Sequence, residues 1–279
     1  MITKTLLEGT DEAQKEDIGE YIIHHVSNSN EWNIFGWHLH LPQFEPVNFL
    51  GMTIDFSITQ HVVMLWVASI FLLLAFGLSF RKRKLVPTGF AALLEMVVLF
   101  IRDDVAIANM GEKDGRKFAP LLCTFFFFVL TCNMMGLIPL FTTPTGNINV
   151  TASLAVVTFI TGQFFGIKQN GLFTHVKSLV PSGIPVFLLP LMFVIELIGL
   201  LAKHFALIVR LFANMIAGHI VLFAFLGLII IFKSYWVSPL SIGFGVFINL
   251  LEILVSFIQA YVFTLLSALF IGMAVHPDH

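Results

Sequence analysis

The sequence predicts an all-α integral membrane protein. Five membrane helices are expected, the last two forming a long, strongly tilted antiparallel hairpin, together with an amphipathic helix on the inner surface. Three observations predict this. Of 279 residues, 57% are hydrophobic, 31 are Phe and only 11% are charged, against about 25% charged in a soluble domain. Several apolar stretches reach the roughly 20 residues needed to cross a hydrocarbon core about 30 Å thick. One of them runs from Val186 to Phe232 without a reversal signal. The net charge of −2 gives nucleic acid no electrostatic footing.

Residues 1–56 read as an extracytoplasmic N-terminal segment and 57–279 as the membrane domain. The N-terminal segment is polar and irregular, with a short helix around Glu12, Glu16, Asp17 and Glu20. Glu8 to Asp17 is acidic where a secretory leader would be basic and then apolar, so no signal peptide is expected. His24-His25 and His38-x-His40 lack a third ligand at useful spacing, and the neighbouring Trp32 and Trp37 suit a membrane interface better than a metal site.

The first span covers about 58–80 and stops at Arg81-Lys-Arg-Lys84. The positive-inside rule puts that run in the cytoplasm and the N-terminus outside. Residues from about 88 to 111 mix apolar positions with Glu95, Arg102, Asp103 and Asp104, too polar a pattern to span, so they form the inner-surface helix. Glu112 to Lys117 reads as a solvated loop. The second span is about 118–141, followed by an external turn, TTPTGNIN, and a third span at about 150–167. A loop with Pro181 and Pro185 comes next. Cys123 and Cys132 are nine residues apart, about 180° around a helix, and cannot pair.

Residues 186–232 would make a helix of about 70 Å, too long for one upright span. Two upright spans need a turn near Lys203-His204, where no Gly, Pro or Asn-Gly stands. One continuous, tilted helix is therefore expected, with KSYWVSP as the outer turn and 242–275 returning to a cytoplasmic C-terminus.

These two helices carry the ionisable residues. Glu196, Lys203 and Arg210 are seven and seven apart, and Asn214 is four further on. Seven residues turn a helix by about 700°, so all four share one stripe about 27 Å long. His219 falls off that stripe. The last helix has its own stripe of Asn249, Glu252, Ser256 and Gln259, spaced three, four and three. In an antiparallel pair, Arg210 level with Gln259 and His219 level with Glu252 both put the reversal near residue 235, inside the turn that its residue types select independently. An Arg at bilayer depth costs about 2.5–3.5 kcal/mol on insertion scales and cannot escape by losing its proton. Arg210 is thus a functional candidate. His219 and Glu252 can both titrate near neutral pH and tune each other, as a proton relay requires. Glu196 and Lys203 either line a second path on the inner side or snorkel to the interface.

The run Arg210-Leu-Phe-Ala-Asn214-Met with Gly218-His219, preceded by Glu196 and Lys203 and followed by Glu252 and Gln259, resembles subunit a of F-type ATP synthase. Asn133-Met-Met-Gly-Leu-Ile-Pro139 and Asn149-Val-Thr151 add to the resemblance, which covers roughly residues 55 to 275. It implies a proton-translocating stator subunit of the bacterial inner membrane, packed against a rotating ring of c subunits, the proteolipid, and joined to the subunit b peripheral stalk. Arg210 would face the carboxylate of each c subunit, and His219 and Glu252 would line the outer half-channel. Some members carry an acid and a His exchanged between those two positions. Gly136 falls where some members have an acid and receives no role. No phosphate-cradling Gly-rich motif is present, so the chain itself is expected to hydrolyse no nucleotide and to need no cofactor. The rival reading is an independent proton-coupled secondary transporter, which predicts internal repeats and paired broken helices. The sequence has neither.

Overall fold

The computed structural model describes residues 31–34, 37–43, 47–49, 52–54, 57–81, 87–138, 141–178, 185–232 and 237–276. The expected short helix around residues 12–20, the His24-His25 pair and the turn residues 233–236 lie outside them. Among the described residues five helices are long and apolar enough to cross a membrane, as expected.

The N-terminal segment departs from an irregular reading. It holds two antiparallel hairpins, β1 (Glu31–Ile34) with β2 (Trp37–His40), and β3 (Val47–Phe49) with β4 (Met52–Ile54). Glu31 pairs with His40 and Ile34 with Trp37; Val47 pairs with Ile54 and Phe49 with Met52. Such three- and four-residue strands carry too little periodicity to be seen in a sequence, and each is held by its partner's ladder of backbone bonds.

Helix α1 spans Gln60–Ser79. Leu73, Leu74 and Leu78 are exposed on it, the pattern of a helix facing lipid. Helix α2 (Phe90–Phe100) runs through a π-wound turn, Ile101–Ile107, into α3 (Ala108–Gly136). Gly111, at φ 77° and ψ 169°, kinks α3. That positive φ suits Gly, which has no Cβ to clash. Glu112–Lys117 is helical, not the expected solvated loop, and the break in the helix is confined to the kink at Gly111. Helix α4 is Ile148–Asn170, and α5 (Leu172–Ser178) occupies part of the expected loop.

Helix α6 runs unbroken over Leu189–Phe232, and α7 covers Val237–Val275. The long continuous helix is therefore present. Helix α7 begins five residues before the expected position, because Pro239 falls in its first turn, where a proline N–H would have had no partner.

The chain divides into two compact units. One comprises Ser69–Thr131, Ile148–Phe212 and Phe257–His279. Its core is apolar and close-packed: Ile101, Leu122, Val129, Phe263 and Ile271 are fully buried. Phe125 and Phe263 meet edge to face at 5.6 Å. Thr158 and Ser267 share a hydrogen bond of 3.2 Å. Asn170 donates to the last carbonyls of α7, at Ala274 and Val275, and His276 pairs with Asp114 at 2.9 Å. Between apolar helices in lipid, such contacts and hydrogen bonds replace the hydrophobic drive. The other unit comprises Met1–Ala68, Cys132–Asn147 and Ala213–Ser256. Here Thr145 donates to the buried Asn133 side chain at 2.6 Å, and Thr142 donates to Gln60 at 2.8 Å.

Candidate functional site

In the unit built around Phe263, Gln259 is buried on α7, and its amide donates to the backbone carbonyls of Arg210 (3.2 Å) and Leu211 (2.9 Å) on α6. The level pairing of Arg210 with Gln259 is therefore present, but through the arginine backbone. The Arg210 side chain is exposed. Its guanidinium is absent from the ion pairs found among the described residues. Lys203 is also exposed and Glu196 half-buried. Ala202 and Ala206 share the exposed face with Lys203 and Arg210, at spacings of four that put them on one side of the helix.

His204 follows Lys203 directly in the chain yet belongs to the core. It is buried, donates through Nδ1 to the Leu200 carbonyl at 2.9 Å, and sits 5.0 Å from the rings of both Phe159 and Phe270. Its place is structural.

In the other unit, Glu252 of α7 is buried, and it lies against Gly218 of α6. A Cβ on Gly218 would collide with Oε1 of Glu252 and come within 2.9 Å of its Cδ. The glycine makes the room that the carboxyl fills. Because Gly218 precedes His219, the expected level pairing of His219 with Glu252 is realised to within one residue. His219 is half-buried, its ring stacks on Phe223 at 6.4 Å, and its Nε2 is 2.5 Å from the Thr143 hydroxyl. Asn249 is half-buried and Ser256 fully buried. Glu252 Oε2, Ser256 Oγ and Asn249 Oδ1 are buried polar atoms without a protein partner. Buried polar atoms are nearly always satisfied, and polar sites of this kind are where proteins hold ordered water. Asn214 is exposed on α6.

Sequence reasoning missed Thr143, His61 and the neighbourhood of Gly136. The ring of the buried His61 donates to the backbone of Thr143, and Thr143 fills the space where a Gly136 side chain would stand. Only polar residues at the ends of apolar spans hinted at these contacts. No group of three His, Cys, Asp or Glu side chains able to hold a metal occurs among the described residues.

Five helices of membrane-spanning length and apolarity, with titratable side chains at buried positions and an arginine exposed and outside the ion pairs found among the described residues, are the features of an integral membrane protein that handles charge. The family described as ATP synthase A chain matches residues 62–272. A protein named ATP synthase subunit a from Chloroherpeton thalassium is 50% identical over 265 residues, 92% of this chain and 77% of its own length. Its namesake from Myxococcus xanthus is 47% identical over 234 residues, 81% of this chain and 77% of its own. In Chlorobium luteolum a protein named ATP synthase subunit a 2 is 47% identical, covering 94% and 77%. The chain belongs to the ATP synthase A chain family. It is a non-catalytic, multi-pass membrane-sector component of a proton-translocating ATP synthase complex.

Proposed function

We propose that this chain is the stator half of the proton turbine. In this reading it provides two offset half-channels, separated by Arg210, which faces the carboxylates of a rotating c-ring. His219 and Glu252, with Asn249 and Ser256, form the outer half-channel. Glu196 and Lys203 border the inner one. Gln259 fixes the backbone that carries Arg210, and Asn214 extends the polar part of the same face. The N-terminus is outside, the C-terminus is cytoplasmic, and the subunit b stalk is a second partner.

The observation that carries this reading is the division of labour on α6. The arginine is exposed while its backbone is pinned by Gln259. A permanent cation on a lipid-facing helix is costly unless a counter-charge arrives. An exposed face of Ala202, Ala206 and Arg210 lets a partner helix approach closely enough to bring one. Near Arg210 a carboxylate is held charged, so it must release a proton. On leaving, it returns to an apolar environment in which its neutral form is favoured. The fixed charge also repels hydronium and blocks a continuous leak.

The direct test is a cysteine introduced at Asn214 in the assembled complex, with cysteines scanned along the small two-helix proteolipid. Disulfide formation on the proteolipid helix that carries its carboxylate supports the reading. Crosslinks to no proteolipid position, in complexes that otherwise assemble, would overturn it.

A further inference from the structure

We propose that Thr143 is a positioning residue for His219, holding that imidazole by a hydroxyl able to bond it in either protonation state. The inference rests on reading His219 as a proton-pathway residue and goes beyond it by assigning the group that orients it.

Thr143 Oγ1 and His219 Nε2 are 2.5 Å apart, and Thr143 itself is buried. The threonine is held from several sides. Its carbonyl accepts from the Gly146 N–H at 3.0 Å, and the buried His61 ring donates to its backbone. The residue before it, Thr142, donates to Gln60 at 2.8 Å. Two residues after it, Thr145 donates to the buried Asn133 at 2.6 Å. Gly136 supplies the space for the side chain: a Cβ there would collide with Thr143 Oγ1 and lie 2.8 Å from its Cβ and Cγ2. Helices α1, α3 and α6 thus all hold or meet this one loop residue.

The chemistry explains why a hydroxyl suits the position. Neutral imidazole carries a proton on one nitrogen only, and imidazolium carries one on both. When Nε2 is bare, the Thr143 O–H donates to it. When Nε2 is protonated, the same oxygen accepts. A carbonyl could serve only the second state. A hydroxyl that rotates keeps the ring in place while its charge changes, so the ring need not reorient during a proton transfer. Position matters here: a relay group must stay within about 2.6–3.2 Å of its proton partner.

The test uses membrane vesicles containing the assembled ATP synthase, with ATP-driven proton uptake followed by a pH-sensitive dye. Thr143→Val keeps the shape and removes the hydroxyl. It is expected to lower proton uptake about three- to tenfold, the scale of one lost hydrogen bond of roughly 1 kcal/mol. Thr143→Ser restores the hydroxyl and is expected to keep uptake within about twofold of the parent, since that bond is retained. Gly136→Ala leaves the hydroxyl in the chain but drives it off His219, and should reproduce the Thr143→Val loss. Subunit content of the purified complex separates loss of transport from loss of assembly. Full uptake in both Thr143→Val and Gly136→Ala, or equal loss in Thr143→Ser and Thr143→Val, would overturn the proposal. His219→Ala run in parallel separates the two levels. If it too leaves uptake intact, the pathway reading fails; if it alone abolishes uptake, only the positioning role fails.

Discussion

Gly218→Ala is the sharpest perturbation of the outer path, because it adds one methyl group at a defined point. The new Cβ would overlap Glu252 Oε1 and come within 2.9 Å of Cδ and 3.3 Å of Cγ. The carboxyl end of the side chain must therefore move, and Glu252 is only 7% exposed, so it shifts among buried neighbours rather than out into solvent. Overpacking of this kind costs about 1–3 kcal/mol, which should lower the temperature at which the complex loses this subunit. The transport effect should be larger. A displacement of about 1 Å at a reacting group is worth up to roughly 100-fold in rate. ATP-driven proton uptake in vesicles should fall at least tenfold on that scale. Adding Glu252→Asp, which withdraws the carboxyl by one methylene, about 1.5 Å, should recover a measurable part of the loss. Parent-level uptake in Gly218→Ala would refute the reasoning, since it would mean that the carboxyl position does not matter. Failure of Glu252→Asp to improve on Gly218→Ala would refute the steric explanation.

Two further predictions concern the outer pair and the buried His175. Exchanging the outer pair, His219→Glu with Glu252→His, should restore more ATP-driven proton uptake than either single replacement, because the two positions are level across α6 and α7; a double variant no better than the worse single would show that they do not act as a pair. Burial beside Gln163 lowers the pKa of His175 on α5 from its usual 6.5, so the folded form favours the neutral ring. Stability from this group is complete above pH 6.5 and declines as the pH falls below it, because the opened state takes up the proton first. Hydrogen-exchange protection of Leu172–Ser178 should drop on acidification through that range and should stop doing so in His175→Gln.

Much of this architecture can be read from the chain because lipid imposes long, simple signals. The uninterrupted helix α6 follows from a missing turn signal around Lys203-His204. The pairing of α6 with α7 follows from two polar stripes and one turn, since the position of a short turn fixes the register of the antiparallel pair. The hairpins at residues 31–54 were not legible, because their strands are three or four residues long and depend on their partners. Nor was the helix over Glu112–Lys117, where a run of charges resembles a solvated loop but the break is confined to one positive-φ glycine, Gly111. Thr143 escaped for a different reason. Its hydroxyl meets His219 across 76 positions of chain, and no local pattern reports so distant a neighbour. His204 shows the converse, since an ionisable residue beside the polar stripe turned out to belong to the aromatic core.

The central claim is that Arg210 presents its fixed charge to a carboxylate supplied by another chain. Arg210→Ala tests it most directly, in vesicles holding the assembled complex energised by an imposed proton gradient. Loss of proton-driven ATP synthesis, with ATP hydrolysis by the complex retained, is the predicted result. Coupled synthesis at the parent rate in that variant would contradict the account.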